Sequence, residues 1–185
     1  MMTNRKALSF ILITSLFSGC LFAQNTFNDG YKKASSGDYA SAVTIWQPLA
    51  EKGGALAQSN LGILYENGWG VTQSPEMAVY WYKKAAEQGQ ADAQHNLGTM
   101  YQQGVGIEKD LNSAGFWFEK AANKGHGESQ IILGVMYQEI EDFQNAVYWY
   151  DKAVKQNVEG AQKNIDYLCQ IKLAKIKSYC SNTKD

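Results

Sequence analysis

The sequence predicts an all-α chain, an α-solenoid of stacked helix-turn-helix units, and three observations carry that expectation. The chain superimposes on itself at a spacing of 36 residues. Apolar residues within each copy fall at i, i+3 and i+4, the period of a helix face. Glycine-rich turns and a Ser-Pro start punctuate the copies. Two helices alone cannot bury the aromatics each copy carries, whereas stacked neighbours can.

Residues 1–23 stand outside that pattern and read as an export signal. Arg5 and Lys6 form a basic head, and residues 7–17 (ALSFILITSLF) are an apolar run of 11 residues. A membrane span needs about 20 residues, so this length suits a signal-peptide core. Two processing sites compete. Leu21-Phe22-Ala23 before Gln24 suits an ordinary signal peptidase, while Leu16-Phe17-Ser18-Gly19-Cys20 resembles a lipobox with Cys20 as the acylated residue, a signal then covering 1–19. Removing Arg5 and Lys6 from 17 cations leaves 15 lysines, against 18 acids, and no arginine.

Residues 24–54 read as an N-terminal helical cap, with Gly37-Asp38-Tyr39-Ala40, Trp46 and Gly53 as its markers. Three copies follow at 55–90, 91–126 and 127–158. Ala57-Gln58-Ser59-Asn60-Leu61-Gly62 aligns with Ala93-Gln94-His95-Asn96-Leu97-Gly98 and with Ser129-Gln130-Ile131-Ile132-Leu133-Gly134, so the glycines stand 36 apart. Tyr80-Trp81-Tyr82 recurs as Phe116-Trp117-Phe118 after 36 residues and as Tyr148-Trp149-Tyr150 after 32. The four missing residues belong to the connector, which reads Gly68-Trp69-Gly70, Gly104-Val105-Gly106 and only Glu139-Ile140-Glu141. Ser74 is expected to cap the second helix of the first copy, with Pro75 at its first position. Residues 159–185 restart the first-helix pattern at Ala161 and then depart from it, as an end cap should.

The pattern A-x-A-Q-x-N-L-G-x-x-Y-x-x-G-x-G followed by A-x-x-W-Y-x-K-A-A-x-Q-G resembles the Sel1-like repeat, a relative of the tetratricopeptide repeat. The resemblance implies a right-handed solenoid that binds other proteins, often in the bacterial envelope, and no shared catalytic chemistry. One cysteine-rich branch of that family is linked to β-lactam binding through a Cys pair between repeats. The matching positions here are Ala86/Ala93, Ala122/Ser129 and Val154/Ala161, so that activity does not transfer.

Several classes of chemistry are excluded by counting and context. With one arginine and a net charge of −1, the chain lacks the cationic surface of a nucleic-acid binder. Two histidines and three cysteines are too few for a zinc finger, and neither His95 nor His126 has a second His or Cys at ligand spacing. His126, between two glycines, reads as a solvated turn residue. The Gly-x-Gly pairs follow no strand and precede no Lys-Ser/Thr, so they cradle no phosphate. Ser181 and Lys184 lie in a polar tail, and no G-x-S-x-G is present. No cofactor, no metal and no catalytic residue is expected. The aromatic triplets read as core, while Trp69 in its glycine loop is a candidate hot spot.

Cys169 and Cys180 are 11 apart, which on one unbroken helix means about 16 Å, beyond the roughly 7 Å a disulfide can span. A turn near residues 171–174 would let them staple a terminal hairpin. Export favours that bond over two free thiols.

Resemblance to tetratricopeptides places a partner-binding wall on the first helices. Its positions are Ser59, Ile63 and Glu66, then His95, Thr99 and Gln102, then Ile131, Val135 and Gln138, with Tyr31, Lys163 and Tyr167 from the caps. These positions vary between copies at fixed register, whereas Gln58, Asn60, Gln94, Asn96 and Asn164 recur and so hold the backbone. The expected function is non-catalytic binding of a protein partner in the cell envelope. An immunity protein that neutralises a secreted toxin or effector is a specific variant. A β-lactam or cell-wall hydrolase and a glycan binder are alternatives of another class. Contact with a membrane is expected only through a lipid on Cys20.

Overall fold

The computed structural model describes residues 26–171, together with Ile176 and Cys180. The signal segment and Cys20 therefore lie outside the described residues. Every regular element among the described residues is helical: α1 (26–35), α2 (Tyr39–Glu51), α3 (Ala55–Asn67), α4 (Pro75–Glu87), α5 (Ala91–Gln103), α6 (Leu111–Asn123), α7 (Gly127–Glu139), α8 (Phe143–Val154) and α9 (Ala161–Ile171). The pairs α3–α4, α5–α6 and α7–α8 coincide with the three sequence copies. None of the described helices is long and apolar enough to cross a membrane. Two compact units divide between Lys84 and Ala85, inside α4.

In the first unit, Asp38 caps α2 by accepting from the Ser41 N–H at 3.2 Å. Trp46 then anchors α1, its indole N–H donating to the Phe27 carbonyl at 3.1 Å while its ring lies over Gly30. Ala42, Ala50, Ala57, Leu61, Leu64 and Trp81 close around it as one buried cluster. Ser74 caps α4, accepting from the Met77 N–H at 3.2 Å, with Pro75 first in the helix where its missing N–H costs nothing.

In the second unit, α6 packs on both α5 and α7, and α8 on both α7 and α9. Ala114, Phe118, Ala122, Leu133 and Trp149 form one core cluster. Phe143, Val147, Tyr150, Ile165 and Leu168 form a second, which includes Ile176 and Cys180. Cys169 and Cys180 are bonded, with their Cα atoms 5.6 Å apart, so the two do not sit on one continuous helix.

One contact recurs in every repeat. Gly62, Gly98 and Gly134 lie against the rings of Tyr82, Phe118 and Tyr150, and a Cβ on any of them would stand well inside van der Waals contact with the ring. Each glycine thus lets the second helix press its aromatic onto the backbone of the first. A second device ties successive hairpins. The buried amides of Gln58, Gln94 and Gln130 donate to the carbonyls of Ala50, Ala86 and Ala122 at 2.9, 3.0 and 3.1 Å. Those carbonyls sit in the last turn of the preceding second helix, where each also accepts from the N–H of Gly53, Gly89 or Gly125, so the glutamine adds a second donor. Asn60, Asn96 and Asn164 make no comparable bond among the described residues.

The connectors explain the change from 36 to 32. Gly68 and Gly104 end α3 and α5 in the left-handed conformation, with φ of 69° and 73°, and open loops over 68–74 and 104–110. The third connector is only 140–142, and there Glu141 takes the left-handed position at φ 58°.

Substituting Gly134→Ala drives a methyl into the Tyr150 ring and is expected to destabilise by about 1–3 kcal/mol. Gly115→Ala is the control, because its nearest neighbour is the flexible tip of Met136 at 3.1 Å. Helix propensity then dominates and thermal melts should show it neutral or more stable, by up to about 1 kcal/mol. Breaking the Cys169–Cys180 bond by Cys180→Ser is expected to cost about 2–3 kcal/mol, read from chemical denaturation of the oxidised protein.

Candidate functional site

The expected wall divides into exposed and packed residues. Gln102, Val135, Lys163 and Tyr167 in the second unit are exposed, with Val135 at 39% and Tyr167 at 52%. Thr99 is half-buried and its hydroxyl donates to the His95 carbonyl at 3.2 Å. In the first unit Tyr31 is exposed and Ile63 half-buried.

The register column 59/95/131 is not an open wall. Ser59 is 2% exposed. Ile131 packs against the cluster built from α8 and α9. His95 lies with its ring 5.6 Å from that of Phe118 in its own repeat, and its Nδ1 stands 2.9 Å from the Ser129 hydroxyl of the next. This position turns into the seam between hairpins, where close packing excludes a partner.

The column 66/102/138 is decided by the second helix. Glu66 accepts from the Tyr82 hydroxyl at 2.6 Å, and Gln138 from the Tyr150 hydroxyl at 3.1 Å. At the register equivalent of Tyr82 and Tyr150 the second repeat carries Phe118, which has no hydroxyl to offer, and Gln102 remains exposed. Burial, followed by the neighbouring Glu139, pushes the Tyr150 phenol up to about 12, so it stays a protonated donor. Two of these three expected contacts are thus occupied within the repeat.

His126 differs most from its expectation as a solvated turn residue. It is the N-cap of α7, its ring nitrogen Nδ1 accepting from the Ser129 N–H at 3.3 Å. Its ring stacks on that of His95, centroids 4.3 Å apart and planes inclined by 20°. Both Nδ1 atoms approach the buried Ser129 hydroxyl, at 2.9 Å from His95 and 3.2 Å from His126. Glu128 and Asp92 stand at the opposite edges of the two rings. Burial, then the nearby His126, lowers His95 to about 4 against the opposing pull of Glu128 and Asp92, so its ring is neutral at pH 7. Local spacing hides this pair. The usable signal was the repeat itself, because His126 stands five residues before Ile131, the third-repeat equivalent of His95.

Sel1 repeats match residues 55–90, 91–126 and 127–158. The chain belongs to the Sel1 repeat family. A Sel1 repeat protein from Oxalobacter formigenes is 31% identical, with a TM-score of 0.76 over 79% of this chain and 60% of its own. A protective antigen present in uropathogenic Escherichia coli strains, displaying an SLR fold, is 34% identical with a TM-score of 0.73, over 79% of this chain and 33% of its own. The chain thus spans about 60% and a third of the lengths of these two. An immunity protein from Pseudomonas aeruginosa overlaps at 21% identity and a TM-score of 0.43, over 75% of this chain and 67% of its own, too loosely to carry an argument. No curated protein matches the chain. Sel1 repeats are typically protein-interaction modules and generally non-catalytic scaffolds.

The aromatic triplet of each Sel1 repeat is only partly core. Trp81 and Tyr82, and likewise Trp149 and Tyr150, are buried, and so is Phe118, whereas Tyr80, Phe116 and Tyr148 are about half exposed. Successive residues on a helix turn by about 100°, so three in a row cannot share one face. The exposed member is covered instead by the lysine one turn on. Lys84, Lys120 and Lys152 lie 4.5, 4.8 and 4.7 Å from the ring centroids of Tyr80, Phe116 and Tyr148. Trp69, the candidate hot spot, stacks on Tyr39 at 4.9 Å while 42% of its surface stays open. Removing the phenol of Tyr150 by Tyr150→Phe leaves Gln138 without its donor and should cost about 1 kcal/mol in denaturant melts.

Proposed function

We propose that this chain is an exported, non-catalytic Sel1 repeat module that binds a protein partner in the bacterial cell envelope through the exposed part of its first-helix faces. The observation that carries the reading is a division of labour at fixed register. The positions that set each hairpin recur, as with Gly62, Gly98 and Gly134 or Gln58, Gln94 and Gln130. The open or half-buried column 63/99/135 instead reads Ile, Thr and Val, and variation there is what recognition of one partner requires.

In the second unit the open set is Gln102, Val135, Lys163 and Tyr167, with half-buried Thr99 beside it. Its mixture of an aromatic, an aliphatic, one amide and one lysine suits a folded surface or an amphipathic segment. An acidic tail would call for paired cations, which this set lacks. In the first unit Tyr31 and Trp69 offer aromatic surface of the kind that dominates binding energy. Export rests on the basic head and apolar core of residues 1–23, and Cys20 is either removed or acylated.

The test is crosslinking in envelope extract with wild type and a Val135→Asp/Tyr167→Ala variant. Both substituted side chains are exposed, so the variant should keep its melting temperature. Partners captured by wild type should be lost from the variant. Equal capture by both proteins, or none by wild type, would overturn the binding surface. Labelling of cells with a fatty-acid analogue reads the fate of Cys20 separately.

A further inference from the structure

The junction of α5 and α7 gathers four side chains that the partner-binding surface does not use. His95 and Asp92 come from the first turns of α5, His126 and Glu128 from the start of α7. His95 Nε2 is 3.5 Å from Glu128 Oε2, and His126 Nε2 is 3.7 Å from Asp92 Oδ1. One ligand atom from each of His95, His126 and Glu128 lies within 4.8 Å of the others. Around a tetrahedral ion with bonds of about 2.0–2.2 Å, neighbouring ligand atoms stand about 3.3–3.6 Å apart. The two nitrogen–oxygen gaps are close to that separation and longer than the usual hydrogen bond of about 2.7–3.2 Å.

We propose that His95, His126 and Glu128 bind one divalent transition-metal ion of the Zn²⁺ class, with Asp92 completing a tetrahedral set. Ser129 prepares the two rings for this. Its buried oxygen has two lone pairs and can accept an Nδ1–H from each histidine, which leaves both Nε2 lone pairs directed away from the core. Metal-ligating histidines are oriented by such a bond from their other nitrogen. For His126 the ring proton moves from Nε2 to Nδ1, and the 3.3 Å contact from the Ser129 N–H gives way to donation onto Ser129 Oγ. The rings, stacked 4.3 Å apart and inclined by 20°, must turn out of that arrangement for both Nε2 lone pairs to meet one ion. The carboxylates close the site easily, since Glu128 and Asp92 are largely exposed.

The donor set selects the metal class. Two imidazoles suit Zn²⁺, Cu²⁺ and Ni²⁺, whereas Mg²⁺ and Ca²⁺ call for oxygen ligands. The set also occurs once in the repeat register. Asp92 and Glu128 are equivalent positions, but the first repeat carries Leu56 there, with Gly54 and Ser59 in place of the cap and the ring. Bound metal would pin the second and third repeats together across α5 and α7.

The experiment is calorimetric titration of the full chain, with its disulfide intact, using zinc chloride and then magnesium chloride. His126→Asn keeps a good helix cap while removing a ligand, and Glu128→Gln changes an exposed side chain. Wild type should bind one Zn²⁺ per chain and no Mg²⁺. Each variant should bind Zn²⁺ about tenfold or more weakly while melting like wild type in chelator. Zn²⁺ should raise the melting temperature of wild type more than that of either variant. Absence of saturable Zn²⁺ binding, or equal affinity in wild type and both variants, would overturn the assignment.

Discussion

The contact on which the rest of the structure depends is an aromatic ring pressed onto a glycine. Gly62, Gly98 and Gly134 meet Tyr82, Phe118 and Tyr150, and each meeting fixes the distance, rotation and register of one hairpin. Dispersion forces and close packing reward such contact only when nothing intervenes, and a single methyl would separate the helices. Once the hairpin is set, the last turn of its second helix presents one carbonyl to the glutamine of the next first helix. Gln94 and Gln130 take those carbonyls at Ala86 and Ala122 and carry the register forward. A carbonyl at a helix end, with one lone pair already taken by the turn, thereby becomes the joint between repeats.

This order of dependence also decides what is left for recognition. The same tyrosines that rest on Gly62 and Gly134 reach past the glycine to hold Glu66 and Gln138. Where phenylalanine replaces tyrosine, at Phe118, the corresponding Gln102 stays on the surface. Packing therefore removes residues from the binding face one by one, according to a hydroxyl in the partner helix. The column that includes Ser59, His95 and Ile131 is lost to the seam between hairpins. The proposed partner surface therefore has fewer residues than repeat register alone implies, among them the exposed Gln102, Val135 and Tyr167. The histidine pair has a different standing, because it joins two repeats rather than facing outward.

Most of the fold was legible in the sequence, since repetition multiplies weak signals. The glycine spacing, the Ser74-Pro75 start and the missing connector residues each located an element, and the helices fall where they indicate. The site was less legible because side-chain exposure depends on the neighbouring repeat, which periodicity within one helix does not report. Ser59 looked like its equivalents yet is buried. Tyr80, Phe116 and Tyr148 looked like core yet lean outward under a lysine. His126 looked like a glycine-flanked turn residue, and only the superposition of successive repeats brings it onto His95. The Cys169–Cys180 bond, by contrast, was legible, because export favoured it over two free thiols.

A double-mutant cycle on Gly134→Ala and Tyr150→Leu, measured by equilibrium denaturation, tests the central contact most directly. If the ring on the glycine sets the hairpin, the alanine should harm the native protein and be tolerated once the ring is gone. The coupling energy should then exceed about 1 kcal/mol, as for residues in direct contact. Additive effects of the two substitutions would show that the glycine is required for some other reason, and would contradict the account.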